Sequence, residues 1–112
     1  MQFSPDLCDL ILARKKTVTR RPTKWGGWCG CSEMPCRYEV GKTYAIQPGR
    51  GKKAVGRMLV LSVKRQKLGR LPMSEARAEG FINSHLFVSR WIDLYGKYDT
   101  SQTVDRIEFE LT

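Results

Sequence analysis

The sequence predicts an α+β domain: a small, mostly antiparallel barrel or curled sheet flanked by helices. Three observations carry this. The apolar patterning gives the order helix, strand, further strands, two helices, final strand. Strands and helices do not alternate and nothing repeats, which argues against a parallel, doubly wound sheet. The closing segment alternates Ile107, Phe109 and Leu111 with Arg106, Glu108 and Glu110, the signature of a half-buried strand. With 112 residues there is room for one domain and one modest core. Residues 1–112 are therefore expected to fold as a single domain.

The first element reads as a helix. Ser4 is placed to cap, Pro5 suits the first helical position, and Asp6 and Asp9 lie near the positive dipole end. Leu7, Leu10 and Ile11 recur at helical spacing, with Cys8 and Leu12 widening the stripe. Arg14, Lys15 and Lys16 then fall at the negative end, where cations are favoured. The β-branched Thr17-Val18-Thr19 is extended, and Pro22 ends it. Residues 23–42 are rich in Gly and Cys and read as a surface excursion, with an insert at about 23–36. Tyr44-Ala45-Ile46 is a short strand, and residues 48–53 form a glycine-containing loop. A longer strand follows, with Leu59, Leu61 and Val63 expected on one face and Val60 and Ser62 on the other. Residues 73–79 suit a short helix stopped by Gly80. Ser84 to Tyr95 suits a second, whose stripe is Phe87, Val88, Trp91 and Tyr95 before Gly96.

Twenty Lys and Arg against 11 Asp and Glu give a net charge of +9. Such an excess favours polyanionic partners, because neutralising phosphates releases their condensed counterions. No apolar run is long enough to span a bilayer. The first residues have no basic region ahead of an apolar core, so no secretion signal is expected and the cytoplasm is the expected location.

Two phosphate motifs fail on inspection. Gly41-Lys42-Thr43 resembles the end of a P-loop, but Cys36 stands where its first glycine belongs, and a strand follows instead of a helix. Gly49-x-Gly51-x-x-Ala54 also runs into a strand. Cys29, Cys31 and Cys36 share the insert, with Cys8 or His85 available as a fourth zinc donor. Their spacing is not a CxxC pair, and Cys8 fits the helix core stripe as a small hydrophobe. No cofactor is expected, and a structural zinc on this loop is the alternative. Disulfides are disfavoured in a reducing compartment.

Leu12-Ala13-Arg14-Lys15-Lys16-Thr17-Val18-Thr19-Arg20-Arg21-Pro22 resembles the LxGRKTxTxR signature of the ASCH domain family. The resemblance continues through Val40 to Ile46, Gly56-Arg57, Glu75 to Phe81, the Trp91 helix and the Ile107-Glu108-Phe109 strand. It covers nearly the whole chain outside the cysteine-rich insert. It implies a PUA-like β-barrel and binding of RNA or nucleotides in a cleft beside it. One branch of the family resembles small amidohydrolases of N4-acetylcytidine, which use a lysine, a threonine and a glutamate. These fall on Lys16, Thr19 and Glu79. The chain departs from the signature at Arg14, where the family has a glycine, and at Lys15, where it has arginine.

The chemistry of such a trio is coherent. A threonine hydroxyl needs a base to take its proton, lysine serves only when neutral, and the cations Arg14, Lys15, Arg20 and Arg21 would disfavour its charged form. A glutamate can protonate the leaving amine. The competing account is structural: Thr19 as a half-buried strand residue, Lys16 and Glu79 as solvated charges or a salt bridge. The sequence therefore leaves two functions. The first is a nucleic-acid or nucleotide-binding module whose basic cleft uses Lys15, Arg20, Arg21, Arg50, Lys52 and Lys53, with Tyr44 or Trp25 stacking on a base. The alternative is an amidohydrolase of an N4-acylated cytidine-type nucleoside; a ribonuclease is a third reading, for which no histidine pair is present. The expected partners are RNA, single-stranded nucleic acid or a modified nucleoside, with no membrane and a monomeric state.

Overall fold

The computed structural model describes residues 1–22, 38–49 and 51–112. The cysteine-rich insert, with Trp25, Trp28, Cys29, Cys31 and Cys36, and the loop residue Arg50 lie outside the described residues, so the zinc expectation and the roles given to Trp25 and Arg50 lie outside them too.

Helix α1 (Pro5–Leu12) starts with Pro5 in its first turn, Asp6 beside it and Ser4 in extended conformation before it. Ser4 does not cap through its side chain; its hydroxyl donates to the Asp6 carboxylate instead. Cys8 and Ile11 are buried, as the apolar spacing requires. The helix stops earlier than its cations suggest. No basic residue lies in its last turn, and Arg14 adopts a left-handed φ of 61°. A side chain in that conformation costs about 1–2 kcal/mol, which the family's glycine would avoid. The N–H groups of Lys15 and Lys16 both turn back to the Leu10 carbonyl, at 2.8 and 3.2 Å. This reversal sends Lys16 inward.

The strands are β1 (Val18–Pro22), β2 (Thr43–Ile46) and β3 (Gly56–Lys67), followed after two helices by β4 (Thr103–Leu111). They form one antiparallel sheet in the order β1-β4-β3-β2. Between β3 and β4 come α2 (Met73–Ala78) and α3 (Ser84–Tyr95). Asn83 caps α3 by accepting from the Leu86 N–H, and Gly96 ends it at φ 88°. The alternation of β4 serves both faces of the sheet. Ile107 and Phe109 enter a core with Phe3, Ile11, Ile46, Met58 and Val60. Val104 enters a second core with Leu68, Leu71, Ala76, Phe87 and Trp91. The result is a four-stranded antiparallel half-barrel flanked by helices, the PUA-like α+β fold.

Two expectations are corrected. Leu59, Leu61 and Val63 do not share the inner face of β3. Val60 faces Phe109 and Ser62 faces Glu108, so Leu61 is the extra residue of a β-bulge and is 42 % exposed. One inserted residue inverts the alternation: Met58 and Val60 point inward before it, and Val63 packs on the core after it. On α3 the buried stripe is narrower than expected. Phe87 and Trp91 are buried, whereas Tyr95 is exposed.

Candidate functional site

The reversal after α1 and the end of α2 meet around one ammonium. The Thr17 N–H donates to the Ala78 carbonyl at 2.8 Å, tying the start of β1 to the last turn of α2. Glu79 caps α2, and Gly80 follows at φ 97°, a conformation that suits glycine. The same glycine permits close packing, since a Cβ there would lie 3.1 Å from Leu10 Cδ1 and 3.3 Å from Lys16 Cβ. Lys16 is thereby enclosed, with 3 % of its surface exposed.

Its Nζ donates to the Val18 carbonyl at 2.9 Å, the Glu79 carbonyl at 2.8 Å and Glu79 Oε1 at 3.0 Å. An ammonium has three N–H donors, and all three are used. The second Glu79 oxygen accepts from Arg20 Nη1 at 2.8 Å. Arg20 reaches on to Glu75 at 3.5 Å, and Glu75 also pairs with Arg106 at 3.2 Å. A helix dipole disfavours a carboxylate at its C-terminal end; Glu79 stands there because its carboxylate joins two buried cations. Lys16 and Glu79 form the salt bridge of the structural account, but a buried one rather than a solvated one.

Burial pulls the Lys16 ammonium below its ordinary pKa; Glu79 opposes this, and Arg21 and Arg20 add to it. Of the four cations expected to act on Lys16, Arg21 and Arg20 are the ones among the leading causes. The unfolded chain holds this proton up to the ordinary value of 10.5, and the folded chain releases it sooner. Stability should therefore rise with pH across that interval. Urea midpoints taken from about pH 7 to about pH 10 should climb by this linkage, and Lys16→Met should flatten the climb.

A cleft opens over this network between α1, β1 and α3. Its inner part has an empty volume of about 350 Å³ and is walled by Lys16, Thr19, Arg20 and Glu79 on one side and by Phe81, Phe87, Trp91 and Tyr95 on the other. Its outer part, of about 810 Å³, adds Arg21, Gln2, Phe3, Pro48 and Gly49. Thr19, Arg20, Arg90, Leu94, Tyr95 and Leu7 line both. Thr19 is buried in β1 opposite Ile107, and its hydroxyl has no partner among the described residues. Arg21 donates to the Gln2 carbonyl at 2.7 Å and lays its guanidinium over the Phe3 ring at 5.3 Å.

The fold brings Lys16, Thr19, Glu79, Arg20 and Arg21 to this one cleft. Lys15, Lys52 and Lys53 are exposed and do not line it. Tyr44 lies elsewhere: it packs edge-on against Tyr38 at 4.9 Å beside the first core, and its hydroxyl accepts from the Glu39 N–H. It is half-buried and lies outside the cleft. The residues that sequence reasoning missed are Arg90, Leu94 and Leu7, together with the cleft role of Trp91 and Tyr95. A signal for Arg90 existed: Leu86, Arg90 and Leu94 recur every four residues beside the apolar stripe of α3.

The PUA-like class is reflected in known structures. No family model matches the sequence, and no curated protein does. Among solved structures, the ASCH domain from Lactobacillus crispatus JV V101 superposes with a TM-score of 0.65 at 18 % identity, over 95 % of this chain and 70 % of that one. A protein from Enterococcus faecalis V583 gives 0.62 at 17 %, over 96 % and 70 %. A point variant of an ASCH protein from Zymomonas mobilis gives 0.60 at 14 %, over 98 % and 66 %. The chain therefore has the fold of an ASCH domain, and spans about two thirds or slightly more of these proteins' lengths.

Proposed function

We propose that the protein is a nucleic-acid-binding module of the ASCH type, which takes a nucleotide unit of single-stranded RNA into the cleft. One observation carries the reading: the outer cleft is lined by Arg20, Arg21 and Arg90, and among the described residues no carboxylate lines it, Asp6 reaching Arg90 only from its rim. In a chain of net charge +9 this concentrates positive potential where aromatic side chains also stand. Arg20 is already neutralised by Glu79 and Glu75, so Arg21 and Arg90 are the phosphate contacts. For two such contacts on a single strand, affinity should fall roughly sevenfold between about 50 and 200 mM salt. Fluorescence anisotropy of a labelled RNA 12-mer measures this, and Arg21→Gln should reduce the salt slope by about 0.7. No binding at the lower salt sinks the proposal.

A second reading has its own support, since Lys16, Thr19 and Glu79 line the inner cleft together. In it, neutral Lys16 takes the Thr19 proton, Oγ1 attacks an acyl carbonyl, the C–N bond breaks and the amine leaves with a proton from Glu79. Water then cleaves the acyl-threonine. Against it, all three Lys16 N–H groups are bonded to oxygen, and both Glu79 carboxylate oxygens already accept from cations. Turnover of N4-acetylcytidine that disappears in a folded Thr19→Ala protein would establish hydrolysis; an untouched substrate would leave binding alone.

A further inference from the structure

Arg90 has a second occupation. Its Nη2 donates to Ser4 Oγ and lies 3.5 Å from Asp6 Oδ1, so α3 is clasped to the start of α1 across the cleft. It lines both the inner and the outer part and stands at their boundary. The Asp6 side chain is 66 % exposed and that of Arg90 32 %. An exposed pair of this kind is among the cheapest interactions to break. On the strand side of the same opening, Arg21 donates to the Gln2 carbonyl and lies over the Phe3 ring, and among the described residues no carboxylate pairs with it.

We infer that Arg90 and Arg21 form a two-guanidinium phosphate site at the cleft mouth, and that Asp6 occupies Arg90 until a phosphate replaces it. The inference rests on the proposed nucleotide-binding reading and adds the ligand class: a nucleoside bearing a phosphate, not a free nucleoside. Planar guanidinium groups bind phosphate oxygens through paired N–H donors, which a neutral sugar hydroxyl cannot match. The aromatic inner part takes the base, and the arginines at its mouth take the phosphate. Asp6 thereby acts as a built-in competitor for the phosphate position.

Calorimetry with three probes tests this: the four ribonucleosides, their 5′-monophosphates, and a single-stranded RNA hexamer without terminal phosphates. Monophosphates should bind at least about tenfold more tightly than nucleosides, as charge-assisted hydrogen bonds allow. Arg90→Gln should remove most of that preference while leaving nucleoside affinity in place, and Arg90→Lys should restore part of it. Asp6→Asn should raise monophosphate affinity by up to about fivefold, the most that an exposed ion pair withholds. Preference for the hexamer over monophosphates places the phosphate within a strand; the reverse places it on a free nucleotide. Either is consistent with the site. Equal loss of nucleoside and monophosphate affinity in Arg90→Gln, or no gain in Asp6→Asn, overturns the inference while the cleft reading stands. If none of the probes binds wild-type protein, both fall.

Discussion

Replacing Glu79 with alanine is expected to cost about 3–5 kcal/mol of folding stability, the range for deleting one partner of a buried ion pair. The carboxylate is shared by Lys16 and Arg20, and both cations are almost wholly enclosed. Once it is gone, Lys16 can shed its proton, a direction that burial already favours. Arg20 has no neutral form to adopt and keeps only Glu75, at 3.5 Å. Lys16→Met is the informative contrast. It keeps Glu79 Oε2 on Arg20 and leaves no cation unpaired, while depriving two carbonyls and Glu79 Oε1 of a donor. Urea denaturation should therefore rank Glu79→Ala clearly below Lys16→Met. Equal stabilities would mean that the carboxylate is not the hub of the network.

The ranking bears on function, because the same three charges form the floor of the cleft. A carboxylate bonded through both oxygens and an ammonium bonded through all three hydrogens make a rigid platform. Such a platform fixes β1 against the end of α2 and sets Thr19 and Arg20 at the opening. The arrangement suits a module that holds a ligand in one pose. It suits proton transfer only if Lys16 gives up its charge, so the pH dependence of stability and the N4-acetylcytidine assay address the same ammonium from two sides.

Much of this fold was legible along the chain, for physical reasons that can be named. Strand β4 showed its alternation because one residue in two enters the first core. Helices α2 and α3 showed their ends because Gly80 and Gly96 are needed at positive φ. The bulge in β3 left no such mark: Leu59, Leu61 and Val63 are as apolar as Met58 and Val60, and only the pairing with β4 decides which set faces inward. The candidate site divides in the same way. Lys16, Thr19 and Glu79 were singled out by resemblance to a signature, and the fold places them in one cleft. That Lys16 is buried while Arg14 and Lys15 just before it are exposed depends on a chain reversal at Arg14, which composition cannot express. The spacing of α3 sets Arg90 beside the apolar stripe, but its partners, Ser4 and Asp6, lie more than 80 positions away, so only the fold puts it at the cleft.

Trp91→Ala is expected to lose about 3–5 kcal/mol, as large-to-small changes of buried aromatics do. The indole is 3 % exposed, and it packs near Phe87 at 5.9 Å, Tyr95 at 4.6 Å and Tyr98 at 6.4 Å. It joins α3 to Val104 of the sheet and to Ala76 of α2 within the second core. Trp91→Phe should behave differently. Among the described residues the indole N–H has no acceptor, and an unsatisfied buried donor costs about 1–3 kcal/mol. Phenylalanine sheds that donor while keeping most of the ring, so its net cost should stay under about 1.5 kcal/mol. Since Trp91 also walls the inner cleft, the alanine variant should lose RNA affinity at temperatures where it remains folded, and the phenylalanine variant should largely retain it. Urea midpoints and anisotropy on the two variants separate packing from polarity. A Trp91→Phe protein as unstable as Trp91→Ala would show that the indole N–H makes a bond this account denies it.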